Sequence, residues 1–416
     1  MTMSKNSISA LLPGWLLLGI LVSATAANAQ QDVIAPPAPA SPAPVVQQAG
    51  VYKIPDPALE FPTPPDSPLQ WGSFILKPHL LYRLLYGNGI QAIPGRESTT
   101  AINTFAPGFL LDMGSQWTLD YTPTWDVYSN RIFHNTLGQA VSLAGLASYD
   151  DWTIQLNQSY IYSSQPLIET GRQTTEQISV TTLDLSRRLN SQVLSETILN
   201  QNLRYAVGSP DNEEWSALEW LHYQLFPQLD TAIGAGGGYI NVTEGSNTAY
   251  FQPEAEVTFA PISVLSINLT GGLDHREFLK EPRTTLNTPT YSVGVQYIPI
   301  ETTSLDFTAG RQVQVSYFAN ESTQDTQWKA TLNQRLLGHY YLIASVGEQD
   351  VAYISEANAR NAGRTDSNLA ISVRLRWTFL QRGTFAILYQ WDRNSSNASG
   401  FGFSSHQTGV EIGYRY

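Results

Sequence analysis

The last nine residues, Thr408-Gly-Val-Glu-Ile-Gly-Tyr-Arg-Tyr416, limit the fold more than any other stretch of the chain. Val410, Ile412, Tyr414 and Tyr416 alternate with Glu411, Gly413 and Arg415. A period of two places one set on each face of a β-strand, so one face is apolar and the other polar. The pattern recurs upstream. Leu369, Ile371, Val373, Leu375, Trp377 and Phe379 oppose Ser372, Arg374, Arg376 and Thr378, and Phe385, Ile387, Tyr389 and Trp391 oppose Gln390 and Asp392. Such strands need an apolar surround on one side and a polar one on the other.

The spacing predicts an all-β chain of about eighteen strands from Trp71 onward, the last beginning near His406. Short links alternate with long ones. Met113-Gly-Ser-Gln116, Ser148-Tyr-Asp-Asp151, Phe226-Pro-Gln228 and Leu337-Gly338 are short; Gly87 to Ser98, Ser163 to Gln173, Asp274 to Pro289, Ser355 to Asp366 and Asp392 to Ser405 are long. An antiparallel up-and-down order puts the two kinds at opposite ends, and an even strand count brings both termini to the short-turn end. Pro78, Pro107, Pro123 and Pro253 fall inside strands, where a missing donor predicts bulges near strand ends. No fixed repeat marks a solenoid or propeller.

Composition separates a membrane barrel from a soluble sandwich. Hydrophobic residues make up 42% of the chain and charged ones only 14%, with 21 Tyr and 10 Trp. Soluble domains average nearer 25% charged, whereas a barrel facing lipid outside and water inside needs this balance. No continuous apolar run after the leader reaches the ~18 residues of a membrane-spanning helix. The formal charge of −12 argues against a nucleic-acid partner, which calls for a basic stripe. Lys5, the apolar run Leu11 to Val22 and Ala27-Asn-Ala29 read as a cleavable leader over residues 1–29. Residues 30–70 hold eleven of the 24 prolines, between Pro36 and Pro68, and predict an extended segment without a core. Residues 71–416 are then the barrel. There is no Cys, which removes disulfides and thiolate chemistry.

Phe74-Ile-Leu-Lys-Pro-His-Leu-Leu-Tyr82 with Tyr86-Gly-Asn88, then Thr104-Phe-Ala-Pro-Gly-Phe-Leu-Leu-Asp-Met-Gly114 and Trp117-Thr-Leu-Asp-Tyr-Thr-Pro-Thr-Trp125, resemble the opening strands of bacterial outer-membrane barrels of the β-barrel porin 2 type. That group includes outer-membrane proteins of exopolysaccharide operons. The closing strand, ending on an aromatic residue, resembles outer-membrane barrels generally. The resemblance implies an outer-membrane location, a lipid bilayer around the apolar faces, and delivery by the assembly machinery through the C-terminal strand. It also implies short periplasmic turns, long outer loops, and a polar solute or polysaccharide as cargo. It carries no catalytic residues.

Enzyme chemistry finds no foothold. His79, His134, His222, His275, His339 and His406 sit in no G-x-S-x-G or H-E-x-x-H setting, and none is spaced to pair on a metal. Gly234-Ala-Gly-Gly-Gly238 lacks the third glycine and the helix of a phosphate loop. No catalytic, metal or cofactor site is expected.

Strand alternation instead assigns charges to the inner face: Asp120, Asp126, Asp230, Glu254, Glu256 and Asp306, mostly on earlier strands, and Lys329, Arg335, Arg374, Arg376 and Arg415 on later ones. Val410, Ile412, Tyr414 and Tyr416 face lipid. Two readings of the inner charges stand: opposite walls of opposite sign that set up a transverse field, or residues merely solvated by a water-filled lumen. Asp274 to Pro289 is the candidate loop for narrowing it. The functions that fit are a porin-like channel for polar solutes, saccharides included, a component of exopolysaccharide export, and a non-conducting structural barrel.

Overall fold

In a computed structural model of the protein, the described residues are 69–280, 283–355, 363–379 and 382–415. The leader, the proline-rich stretch up to residue 68 and Tyr416 lie outside them. A short strand β1 (Gln70–Trp71) precedes β2 (Phe74–Ile93), β3 (Arg96–Met113), β4 (Trp117–Tyr128), β5 (Thr136–Tyr149), β6 (Trp152–Leu167) and β7 (Arg172–Arg188). Then follow β8 (Val193–Ala206), β9 (Asn212–Phe226), β10 (Leu229–Val242), β11 (Thr248–Ile262), β12 (Leu265–Phe278) and β13 (Thr284–Ile300). The last six are β14 (Thr303–Val315), β15 (Glu321–Leu336), β16 (Tyr340–Ser355), β17 (Thr365–Phe379), β18 (Gly383–Ser396) and β19 (Phe403–Arg415).

Strands β2 to β19 pair antiparallel in chain order, and β19 returns to β2 with Val410 opposite Leu84 and Tyr414 opposite Leu80. The sheet is therefore a closed, transmembrane, up-and-down barrel of eighteen strands. Closure leaves no edge, so the ladder satisfies the backbone donors and acceptors without water.

Following the register around the ring divides every strand into two faces. Contacts between distant strands identify the inner one. Arg204 on β8 donates to the carbonyls of Val315 and Ser316 at the end of β14, across the lumen. The inner face is polar and sheltered, the outer apolar and bare: Asp274 and Asp392 are 0% exposed, whereas Ile233 on β10 is 68% exposed. Tyr82, Phe105, Phe251, Phe307, Leu375, Trp377, Ile387, Ile412 and Tyr414 share that outer surface. Removing each such side chain from water is worth about 2 kcal/mol, so a surface built of them belongs in hydrocarbon. Trp117, Trp152 and Trp377 lie at the strand ends nearest the termini, the level of an interfacial girdle.

Two expectations are corrected. Pro107 faces Pro123, and the β3–β4 ladder lapses there, resuming at Phe109 opposite Tyr121 without a change of register. The β11–β12 ladder likewise skips Pro253 in register. All four prolines stand on the outer face; gaps in register, not bulges, accommodate Pro107, Pro123 and Pro253, while Pro78 pairs with Phe109 on one side and lies just past the last β19–β2 pair on the other. The long links are also shorter than expected, because pairing continues through them. β2 and β3 are joined at Pro94-Gly95, and Asp274 to Phe278 and Thr284 to Pro289 belong to β12 and β13. The end away from the termini (the far end) still carries the longer connections, such as 129–135 and 397–402, against 150–151 and 227–228 at the other end.

The face assignment predicts unequal costs for a new charge. Ile233→Arg, on the outer face, should cost about 2–4 kcal/mol of unfolding free energy in lipid vesicles; Ser345→Arg, on the inner face, should cost far less. Equal losses in urea titrations would contradict the assignment.

Candidate functional site

All eleven charges assigned from alternation lie on the inner face by register. Asp230, Glu254 and Glu256 sit on β10 and β11, with Glu196 of β8 and Asp184 of β7 alongside. Lys329 and Arg335 on β15, Arg374 and Arg376 on β17 and Arg415 on β19 form the other group. β10 and β19 lie diametrically opposite in the ring. Asp120 and Asp126 do not belong with the acidic wall. β4 lies next to the basic side, where Asp126 accepts from Thr104 Oγ1 at 2.6 Å and faces Arg83, and Asp120 faces Arg415. Asp306 on β14 lies beside Lys329's strand.

Each wall has its own anchor. On the acidic side both ring nitrogens of His222 meet carboxylates, Nε2 to Glu196 and Nδ1 to Asp230, each at 3.0 Å. Each ring nitrogen that carries a proton can donate to its carboxylate, so the ring links β8, β9 and β10 across the wall. On the basic side Arg83 Nε donates to Glu411 Oε2 at 3.2 Å across the β19–β2 seam, and Arg374 approaches the same oxygen at 3.9 Å. Arg376 stacks on Tyr341, its guanidinium 5.2 Å from the ring. Of the closing strand's outer residues, Ile412 and Tyr414 are exposed and Val410 half-buried.

The narrowing expected of Asp274 to Pro289 is made by other segments at the far end. A bulge between Gly87 and Ile90, with Gly89 at φ 72°, turns the tip of the β2–β3 hairpin. A side chain at Gly89 would strike the Ser404 carbonyl. The tip reaches the β18–β19 connection, where Gly95 N donates to Gly400 O at 2.6 Å and Gln91 Nε2 to Gly402 O at 3.2 Å. Beneath it Leu85, Ile90, Ile102, Tyr128, Phe133 and Leu388 make an apolar cluster.

From the other side, residues 316–318 cross to β7 and β8. Tyr317 OH donates to Glu176 at 2.7 Å, and the Arg204 guanidinium stacks 3.9 Å from the Tyr317 ring. Arg364, just ahead of β17, is buried with Asp366, stacks on Phe401 at 3.6 Å, and donates to the Glu169 carbonyl at 2.9 Å. Glu169 Oε1 accepts from Ser316 Oγ at 2.6 Å and Tyr317 N at 2.7 Å. Polar side chains thus bridge the lumen near its far mouth. Period-two alternation could have placed Arg83, Glu196 and Arg204 inward, but it held nothing about Glu169 or Arg364, which stand outside the strands.

Among the described residues, no group of three His, Asp or Glu could hold a metal ion. No known family's sequence profile matches the chain, and no curated protein matches it. Solved structures similar to it include Pseudomonas aeruginosa OccK2 (OpdF) in complex with glucuronate, 12% identical with a TM-score of 0.44 over 82% of this chain and 98% of that one. P. aeruginosa OccK9 (OpdG) is 10% identical, TM-score 0.46, with the same coverage. A BenF-like porin from Pseudomonas fluorescens Pf-5 is 10% identical, TM-score 0.44, covering 82% and 99%. At such identities the likeness assigns neither cargo nor residues.

Arg364→Met keeps an apolar stem for Phe401 but leaves Asp366 buried without its cation. It should lower unfolding free energy by about 3 kcal/mol and speed amide exchange over 397–402. Unchanged exchange there would mean that Arg364 does not hold the bridge.

Proposed function

We propose that the chain is an outer-membrane channel that passes small polar solutes along a lumen with one acidic and one basic wall. The leader would be cleaved ahead of Gln30, the proline-rich stretch would lie in the periplasm, and the far end would face the exterior. The observation that supports this most directly is the inversion of polarity: charges and amides inside a closed ring, bare apolar side chains outside. A transverse field between the walls would orient a dipolar solute as it passes the bridged mouth.

The inner face also favours uncharged hydroxyl-bearing cargo. Gln349, Asn368 and Asn394 stand side by side on β16, β17 and β18, with Gln390 and Gln407 two inner rows away, beyond Asp392 and Ser405. Amides can both donate to and accept from sugar hydroxyls, although Gln349, Asn368, Asn394 and Gln407 are nearly covered here; small saccharides are one fitting class among small polar solutes. Export of a long polysaccharide, the role the β-barrel porin 2 resemblance would suggest, fits less well. Inner aromatic residues such as Tyr128, Trp220, Tyr250, Tyr341 and Tyr353 are dispersed over β4, β9, β11 and β16, whereas a sliding polymer wants them in line.

The test is current through the purified chain in a planar bilayer under a salt gradient. Arg374→Gln with Arg376→Gln should move the reversal potential toward cation preference while leaving the barrel heat-modifiable. An unchanged reversal potential would remove the charged-wall mechanism, and a folded wild-type barrel that never conducts would remove the channel.

A further inference from the structure

We propose that the bridge across the far mouth is a proton-linked latch, pinned by Glu169, which closes the lumen in acid and releases it as pH rises. The inference rests on the channel reading and adds a control to it. Three elements meet at this one residue. The β6–β7 connection carries it, the β14–β15 connection binds its side chain through Ser316 Oγ and Tyr317 N, and Arg364 ahead of β17 binds its carbonyl. These elements come from opposite parts of the ring, so freeing Glu169 removes the tie shared by all three and leaves residues 316–318 held to β7 and β8 by Glu176 and Arg204 alone.

The charged and titratable groups around it come from every packed element. Arg204 approaches from β8 and Arg364 from the start of β17; Glu176 on β7 holds Tyr317 OH, and Asp366 on β17 pairs with Arg364. Asp325 on β15 and Tyr353 on β16 also sense the Glu169 charge. Burial pushes the Glu169 carboxyl above the usual carboxylate range, although the Ser316 bond, Arg204, the Tyr317 amide and Arg364 all pull it down.

The sign follows from linkage. The closed latch holds a proton more tightly than the same carboxyl does in water, so closing takes up a proton and opening releases one. The neutral acid still accepts both bonds at Oε1. Between the ordinary carboxylate pKa and the raised value, each pH unit shifts the closed-to-open ratio by up to about tenfold. Above the raised value the ionised, buried carboxylate destabilises closure.

The experiment compares the full chain with Glu169→Gln, a neutral side chain that keeps an acceptor oxygen, between about pH 5 and about pH 8. Heat-modifiable migration of both serves as the folding control. In single-channel records the wild-type open fraction should fall steadily on acidification, and Glu169→Gln should stay mostly closed with no pH response. The same pH profile in both proteins, or a wild-type channel that opens in acid, would overturn the latch. Amide exchange over 316–320, referenced to the unfolded peptide at each pH, reads the latch without current. Added protection in acid, present in wild type and absent in Glu169→Gln, supports it, and equal protection at both pH values overturns it. The exchange response without current in either protein would uphold the latch and sink the channel.

Discussion

Everything in this structure depends on the pairing of β19 with β2. A strand crossing hydrocarbon has no water to satisfy its donors and acceptors, so an open sheet of this size would leave one N–H or C=O row bare along each edge. The seam removes both edges at once, and Arg83 and Glu411 meet on its inner face. Once the ring is closed, period-two alternation does the rest. Every second side chain is sent to the lumen and every other to lipid, and a sequence that would aggregate as an open sheet becomes a stable wall.

Closure also explains how opposed charges coexist. Walls set at least four strands apart, and nine between β10 and β19, do not neutralise one another by contact, so each settles its own balance. The acidic wall keeps His222 between two carboxylates, and the basic wall draws in Glu411, Asp120 and Asp126. At the far mouth, side chains from distant strands touch. There the buried groups are held by stacking as well as by charge, as Arg364 is by Phe401 and Arg204 by Tyr317.

Much of this was legible in the chain. Local alternation gave the number of long strands, with the opening one near Trp71 and the closing one near His406 within three residues of β2 and β19, and it put all eleven chosen charges on one face. Pairing beyond the expected strand ends was not legible: nothing in Asp274 to Pro289 says that a polar stretch keeps its ladder instead of looping. The prolines misled because the sequence does not show that Pro107 and Pro123 will face each other and share one gap. The bridge was invisible for another reason. Glu169 and Arg364 are 195 residues apart, and their meeting depends on the turned β2–β3 hairpin and on strand order around the whole ring.

The central claim is that the two faces of each strand meet different solvents. Because the chain has no Cys, single cysteines can be placed one at a time along β17 from Leu369 to Trp377 and spin-labelled in lipid vesicles. Collisional relaxation by oxygen and by a polar nickel chelate then reports the surround at each site. The account predicts a strict alternation, with 369, 371, 373, 375 and 377 reached by oxygen and 370, 372, 374 and 376 by the chelate. A profile without alternation, or with the two phases exchanged, would contradict it.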